Sequence, residues 1–190
     1  HTCAIKTNGR LYCWGSNMAG GYSTAPNTTG SYGGMTNWSK VAAGNTHTCA
    51  LNTLGKIYCW GKSNHGEAGI ATWANNYVIS TPTLINSDNN WVGISAGNDF
   101  SCGVKAGGSV LCWGSNSKAQ IGNGSTSIDD IYVPSSVLSD EHFINVSAGW
   151  EHVCGLSEDL TVHCWGANNY FQLGDGISMN SIPREILFLE

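Results

Sequence analysis

Cys49-Ala-Leu-Asn-Thr-Leu-Gly-Lys-Ile-Tyr-Cys59-Trp60-Gly61 decides the architecture, because nearly the same words recur at 3–15, 102–114 and 154–166. In each copy two cysteines stand ten residues apart and the second is followed by Trp-Gly. Successive copies begin 46, 53 and 52 residues apart, which marks a repeat architecture. Each copy reads as a β-hairpin. In the first, Cys3-Ala-Ile-Lys and Arg10-Leu-Tyr-Cys13-Trp14 are strands around Thr7-Asn8-Gly9, and Gly9 stands where a three-residue loop needs a left-handed residue. Counting outward places Cys3 opposite Cys13 in the closer, non-hydrogen-bonded kind of pair, a separation that a disulfide spans. The same arithmetic holds around Leu54 with Gly55 and around Gly107 with Gly108. The fourth copy carries Glu158-Asp159-Leu160, with leucine in the glycine's place, so a different turn type or a bulge is expected there.

The expected bridges are Cys3–Cys13, Cys49–Cys59, Cys102–Cys112 and Cys154–Cys164. Eight buried thiols acting as small hydrophobes are one alternative. A zinc site is another, but the cysteines are evenly spread and form no paired C-x-x-C knuckle. A spacing that stays fixed while the intervening residues change favours the bridges, each contributing about 2–3 kcal/mol by the loop-closure account.

Composition narrows the function classes. Lys plus Arg total 8 against 13 Asp plus Glu, a formal charge of -5, and the only arginines are Arg10 and Arg184. That balance argues against binding a phosphate backbone. Paired cysteines point to an oxidising compartment, hence an extracellular or cell-surface location. Sequons at Asn27, Asn37, Asn123 and Asn145 are compatible with glycosylation there. No apolar run approaches a membrane span. His1 leads directly into the first cysteine strand with no initiating Met or targeting segment, so processing or a longer parent chain is expected.

Between hairpins the order repeats. Trp38-Ser-Lys-Val-Ala-Ala-Gly44, Trp91-Val-Gly-Ile-Ser-Ala-Gly97 and Phe143-Ile-Asn-Val-Ser-Ala-Gly149 each read as a strand ending five residues before the next first cysteine. Extended pieces containing Pro82, Pro134 and Pro183 follow the hairpins, and proline confines them to sheet edges. One unit is therefore four antiparallel strands with apolar residues on both faces, a sheet that must stack on others. Trp14, Trp60, Trp113 and Trp165 are expected to pack between neighbouring sheets. No segment sustains a helical period. The whole of 1–190 reads as a single repeat domain.

Val-Ala-Ala-Gly, His47-Thr-Cys-Ala-Leu, the glycine turn, Tyr-Cys-Trp-Gly and a closing Gln120-Ile-Gly122 or Gln172-Leu-Gly174 resemble the regulator of chromosome condensation repeat, in its cysteine-containing, secreted-like variety. The resemblance implies an all-β propeller of four-stranded blades, seven in the best-known members. Four repeats leave the ring incomplete, so three arrangements stay open: a sector of a longer propeller, copies that complete one another, or a compact four-bladed ring.

Catalysis and metal binding find little footing. His1, His47 and His152 each lie two residues before a cysteine, but Phe100 holds that place in the third copy, so packing is expected instead of ligation. Asp129-Asp130 and Asp175-Gly176 follow no calcium-loop spacing. Asp88, Asp99, Asp140, Glu141 and Glu151 lie near turns, where a solvated surface is expected. No G-x-S-x-G elbow is present. The individual loops carry Tyr22, Tyr32, His65, Trp73 and Tyr77, and with Trp150 these are the candidate binding residues. The expectation is a non-enzymatic extracellular interaction or assembly module, without metal or cofactor, that binds protein or glycan, self-associates or belongs to a larger chain. A discrete lectin-like or inhibitor-like propeller is the alternative.

Overall fold

The computed structural model describes residues 1–15, 34–71, 78–125, 127–176 and 179–187. It contains β1 (Thr2–Ile5), β2 (Leu11–Trp14), β3 (Trp38–Ala43), β4 (His47–Asn52), β5 (Ile57–Lys62), β6 (Val78–Leu84) and β7 (Trp91–Ala96). The second half contains β8 (Phe100–Lys105), β9 (Val110–Gly114), β10 (Ile131–Ser136), β11 (Phe143–Ala148), β12 (His152–Ser157), β13 (Val162–Ala167) and β14 (Met179–Glu185). Three four-stranded antiparallel sheets follow chain order, β3-β4-β5-β6, β7-β8-β9-β10 and β11-β12-β13-β14, and β1 and β2 pair in a sheet of two described strands. They are arranged as propeller-like repeats that do not close into a full ring.

The hairpins have the register that the loop arithmetic demands: Cys3 faces Cys13, Cys49 faces Cys59, Cys102 faces Cys112 and Cys154 faces Cys164. Each pair is a disulfide with its Cα atoms 4.1 Å apart. The fourth turn departs from expectation. Leu160 takes the left-handed conformation itself, with φ 69°, and its amide donates to the Ser157 carbonyl at 3.1 Å, as Gly9 does to Lys6 at 2.9 Å. The turn type is thus kept and the leucine bears the strain.

The Ala-Gly strands β3, β7 and β11 lie innermost, around a hub where Gly44 and Gly97 abut the neighbouring blade. The Asn45 amide reaches the Gly97 carbonyl at 3.4 Å, and the Asn98 amide reaches the Trp150 carbonyl at 3.1 Å. Proline-bearing β6, β10 and β14 are the outer edges.

Alternation along each hairpin gives every blade a cysteine face and a tryptophan face. The cysteine face of one blade packs on the tryptophan face of the next. Leu11 and Cys13 meet Ala50 and Trp60, Cys49, Leu51 and Ile57 meet Trp91 and Trp113, and Cys102 and Val104 meet Val153 and Trp165. Trp60, Trp113 and Trp165 have no solvent exposure. An indole burying about 200 Å² contributes about 5 kcal/mol from apolar transfer before its ordering cost. The Trp113 Nε1–H donates to the Glu67 carbonyl and the Trp165 Nε1–H to the Gln120 carbonyl, both at 3.0 Å. Gly69 and Gly122 lie against those rings, so close that a Cβ would stand 2.8 Å and 2.6 Å from Nε1. The closing glycine of the repeat is there to admit the next blade's indole.

Candidate interaction face

Strand direction sorts the loops. The Ala-Gly turns and the long loops after β5, β9 and β13 share one face, while the hairpin turns occupy the other. On the first face, blades contribute to a groove of about 230 Å³ lined by His65, Asp99, Gln120, Asp130 and Glu151. Asp99 and Glu151 occupy the same place in successive Ala-Gly turns, and Asp130 stands just before β10. The His65 Nδ1 lies 2.9 Å from the Asp130 carboxylate. Burial pulls the His65 pKa down, but Asp130, with help from Glu67 and Asp99, outweighs it and the net shift is upward. The Asn98 side-chain amide donates to Asp99 at 2.7 Å.

Beside this groove, the hub forms a shallow depression floored by Ala43, Ala96, Ala148 and the glycines that follow them, with Trp150 at its margin. Trp150 is 64 % exposed. Asn98 borders both depressions, so His65 and Trp150, the two candidate residues from the loops and turns that are described, fall on one continuous surface. Tyr22, Tyr32, Trp73, Tyr77 and Asn27 lie outside the described residues. Of the carboxylates that join His65 and Trp150, Asp99 and Glu151 were read from sequence only as solvated charges, and Asp130 only as part of an Asp129-Asp130 pair without calcium-loop spacing. The signal that separates them is positional: Asp99 and Glu151 replace Thr46 of the second repeat at the same turn.

Beneath the groove, Glu67 is fully buried in the place that Gln120 and Gln172 hold in the sister loops, and one carboxylate oxygen accepts the His65 amide at 2.8 Å. Burial raises its pKa to about 7 against the opposing backbone hydrogen bonds. His47 and Ser101, 2.8 Å apart, have the composition of a base and a nucleophile. Both have no exposure, and burial lowers the His47 pKa to about 4. No substrate reaches them, and the pair serves as an inter-blade bond. Among the described residues no group of three or more His, Cys, Asp or Glu is placed to hold a metal, and no helix is long and apolar enough to cross a membrane. Of the described sequons, Asn37 is half-buried, Asn123 accepts the Ser125 amide with its own side chain, and Asn145 is exposed on β11.

The model of the regulator of chromosome condensation (RCC1) repeat matches residues 1–20, 38–67, 91–120 and 143–172. The chain is 29 % identical to the ultraviolet-B receptor UVR8 of Arabidopsis thaliana over 195 residues, which is 98 % of this chain and 44 % of UVR8. It is 35 % identical over 101 residues to the human probable E3 ubiquitin-protein ligase HERC6, 51 % of this chain and 10 % of that protein. The chain thus spans less than half the length of these curated relatives. Yeast RCC1 (Prp20) bound to Kap60 superposes with a TM-score of 0.83 at 17 % identity, covering 98 % of this chain and 46 % of that one. Human WBSCR16 gives 0.79 at 18 % identity, covering 97 % and 49 %.

The extracellular or cell-surface location expected from the cysteines is overturned by these structures, which carry the same blades in yeast RCC1 (Prp20) bound to Kap60. The physical reason lies in the hairpin, whose register alone sets each cysteine pair 4.1 Å apart, so the pairing reports strand geometry and not a compartment. The secreted-like variety and the glycoprotein reading lose their support with it. The sheets, their stacking and the repeats matched along the chain agree, and the protein belongs to the RCC1 repeat family.

Proposed function

We propose that this chain is a non-catalytic, disulfide-bridged propeller module whose hub face binds a protein partner through a basic segment. One observation carries the reading: separate loops and turns converge Asp99, Asp130 and Glu151 on one groove, next to a 64 % exposed Trp150. Carboxylates at the rim of a recess accept guanidinium or ammonium donors, and an exposed indole beside them offers an apolar and cation–π anchor. Protein partners are the class that relatives display: Prp20p is described with its binding to Gsp1p and histones, and RCC1 with bound Kap60.

The test is titration of the chain with a fluorescent, unstructured peptide rich in Lys and Arg, read by anisotropy at low and high salt. Binding is expected to weaken with salt, and Asp99→Asn with Glu151→Gln is expected to reduce affinity about tenfold, with Trp150→Ala costing at least as much. Binding indifferent to these substitutions, or none at millimolar peptide, would refute the reading.

A further inference from the structure

We propose that a recess between the β7–β10 blade and the β11–β14 blade, on the hairpin-turn face, receives a lysine side chain from a partner protein. That side chain takes the place that Lys105 of this chain fills one junction earlier. The recess lies on the face opposite the hub groove and uses none of its residues, so it is independent of the hub-face reading.

The earlier junction, between the β3–β6 and β7–β10 blades, supplies the pattern. Lys105 Nζ donates to the Asp88 carboxylate at 2.6 Å and stands 5.0 Å from the centre of the Trp91 ring. Asp88 belongs to the segment between β6 and β7, and Trp91 shares a buried cluster with Ile57 and Ile85. A carboxylate, an aromatic face and an apolar floor thus hold one ammonium and its stem.

The later junction has the same backbone. Trp91 pairs with Lys105 and, at the same register, Phe143 pairs with Ser157. The Ile85 amide donates to the Ile57 carbonyl at 3.2 Å, and the Val137 amide to the Val110 carbonyl at 2.9 Å. The Ala106 amide meets the Asn90 carbonyl and the Glu158 amide the His142 carbonyl, both at 2.8 Å. On this shared frame the side chains shrink: Val110 stands for Ile57, Val137 for Ile85, Phe143 for Trp91, Ser109 for Lys56 and Ser157 for Lys105. The result is a recess of about 260 Å³, floored by Val110, Val137 and Phe143 and rimmed by Ser109, Asp140 and Glu141.

Charge changes to match. Asp140 keeps the carboxylate of Asp88, Glu141 adds one where Asn89 is neutral, and both lysines are gone. Asp140 is exposed and takes part in no ion pair among the described residues. His163 Nε2 lies 3.9 Å from the Glu141 carboxylate, too far for a hydrogen bond, and meets the Thr161 hydroxyl at 2.7 Å. His142 lines the recess in the place of Asn90. The junction has kept its acceptor and lost its donor. Because the register position of the donor holds Ser157, the lysine comes from outside the chain. Its head meets Asp140 and Glu141 while its methylenes lie along the apolar floor.

The test follows the backbone amides of the chain by proton–nitrogen correlation spectra near neutral pH. An Asp99→Asn, Glu151→Gln background keeps the hub groove out of the reading. The probe is an acetylated and amidated Gly-Gly-Lys-Gly-Gly peptide. Shifts are expected to saturate at millimolar peptide and to gather on residues 109–110, 137 and 140–143. Asp140→Asn with Glu141→Gln is expected to weaken binding about tenfold or more, and acetylation of the peptide's lysine to abolish it. Lys105→Ser frees Asp88 and Trp91 and is expected to open a second site, with new shifts on residues 56–57, 85 and 88–91. The same spectra report that each variant stays folded. No shifts at the recess, binding indifferent to the paired substitution or to acetylation, or a Lys105→Ser chain without a second site would each overturn the inference. Tighter binding of free n-butylamine than of the peptide would also overturn it, by assigning the recess to a small amine instead of a protein.

Discussion

Glu67 stands where the sister loops carry Gln120 and Gln172, and its environment suits the amide. With its folded pKa raised from the ordinary 4.5 to about 7, the carboxyl is more protonated in the folded chain than in the unfolded one between those values. Its contribution is therefore fully present below about pH 4.5, declines as pH rises, and is lost above about pH 7. A shift of this size corresponds to roughly 3 kcal/mol. Glu67→Gln removes the titration while its amide oxygen can still accept the His65 amide. Urea unfolding is expected to show the variant roughly 2–3 kcal/mol more stable than the parent near pH 8 and nearly equal to it near pH 4.5. Parallel stability curves for the two proteins would refute this. The surface carboxylate of Asp159 has the opposite sign: hydrogen bonds from Ser157 and Thr161 hold its pKa at about 2, so what it contributes is complete above the ordinary 3.8 and is lost as pH falls from there through about 2.

The hairpin is the element that the repeat preserves, and its turn shows how one position answers to two demands. Glycine at 9, 55 and 108 serves the positive φ and also admits the neighbouring chain segment. At 160 a leucine that is 72 % exposed keeps φ at 69°. A left-handed residue with a Cβ costs about 1–2 kcal/mol, of which glycine's extra unfolded-state freedom cancels about half. Leu160→Gly is accordingly expected to raise unfolding free energy by about 0.5–1 kcal/mol, measured by denaturant melts. A destabilised variant would mean that the leucine side chain, and not the backbone, governs this turn. The fault in the sequence-based expectation is instructive: substituting leucine for glycine signalled a new turn, but the sequence around it, Ser157 through Thr161, supplies enough side-chain hydrogen bonds to hold the old one.

Across the whole molecule the blades differ in how well they are covered. Cys49–Cys59 and Cys102–Cys112 are sealed between sheets with no exposure, while Cys3 and Cys154 at the two ends are half-exposed. Thiolate attack requires access to sulfur. Under native conditions with limiting reductant, Cys3–Cys13 and Cys154–Cys164 are expected to open before the two inner bridges, followed by alkylation and peptide mass mapping. Simultaneous loss of all four would show that reduction proceeds by global unfolding instead of by access. The same unequal covering leaves Trp150 on the hub face 64 % exposed.

How much of this was legible beforehand follows from the range of each interaction. The hairpins, the pairing of Cys3 with Cys13 and its counterparts, and the edge position of the Pro82, Pro134 and Pro183 strands rest on contacts within one repeat, and the face on which Trp60, Trp113 and Trp165 stand rests on two-residue alternation, so spacing alone specified them. The groove that gathers Asp99, Asp130 and Glu151, the His47–Ser101 bond, and the sites of Glu67 and Leu160 depend on how one blade is set against the next. That setting comes from the packing of indoles, glycines and carbonyls some fifty residues apart. No local period encodes it, so the strands were determined by the sequence of each repeat and the site only by their assembly.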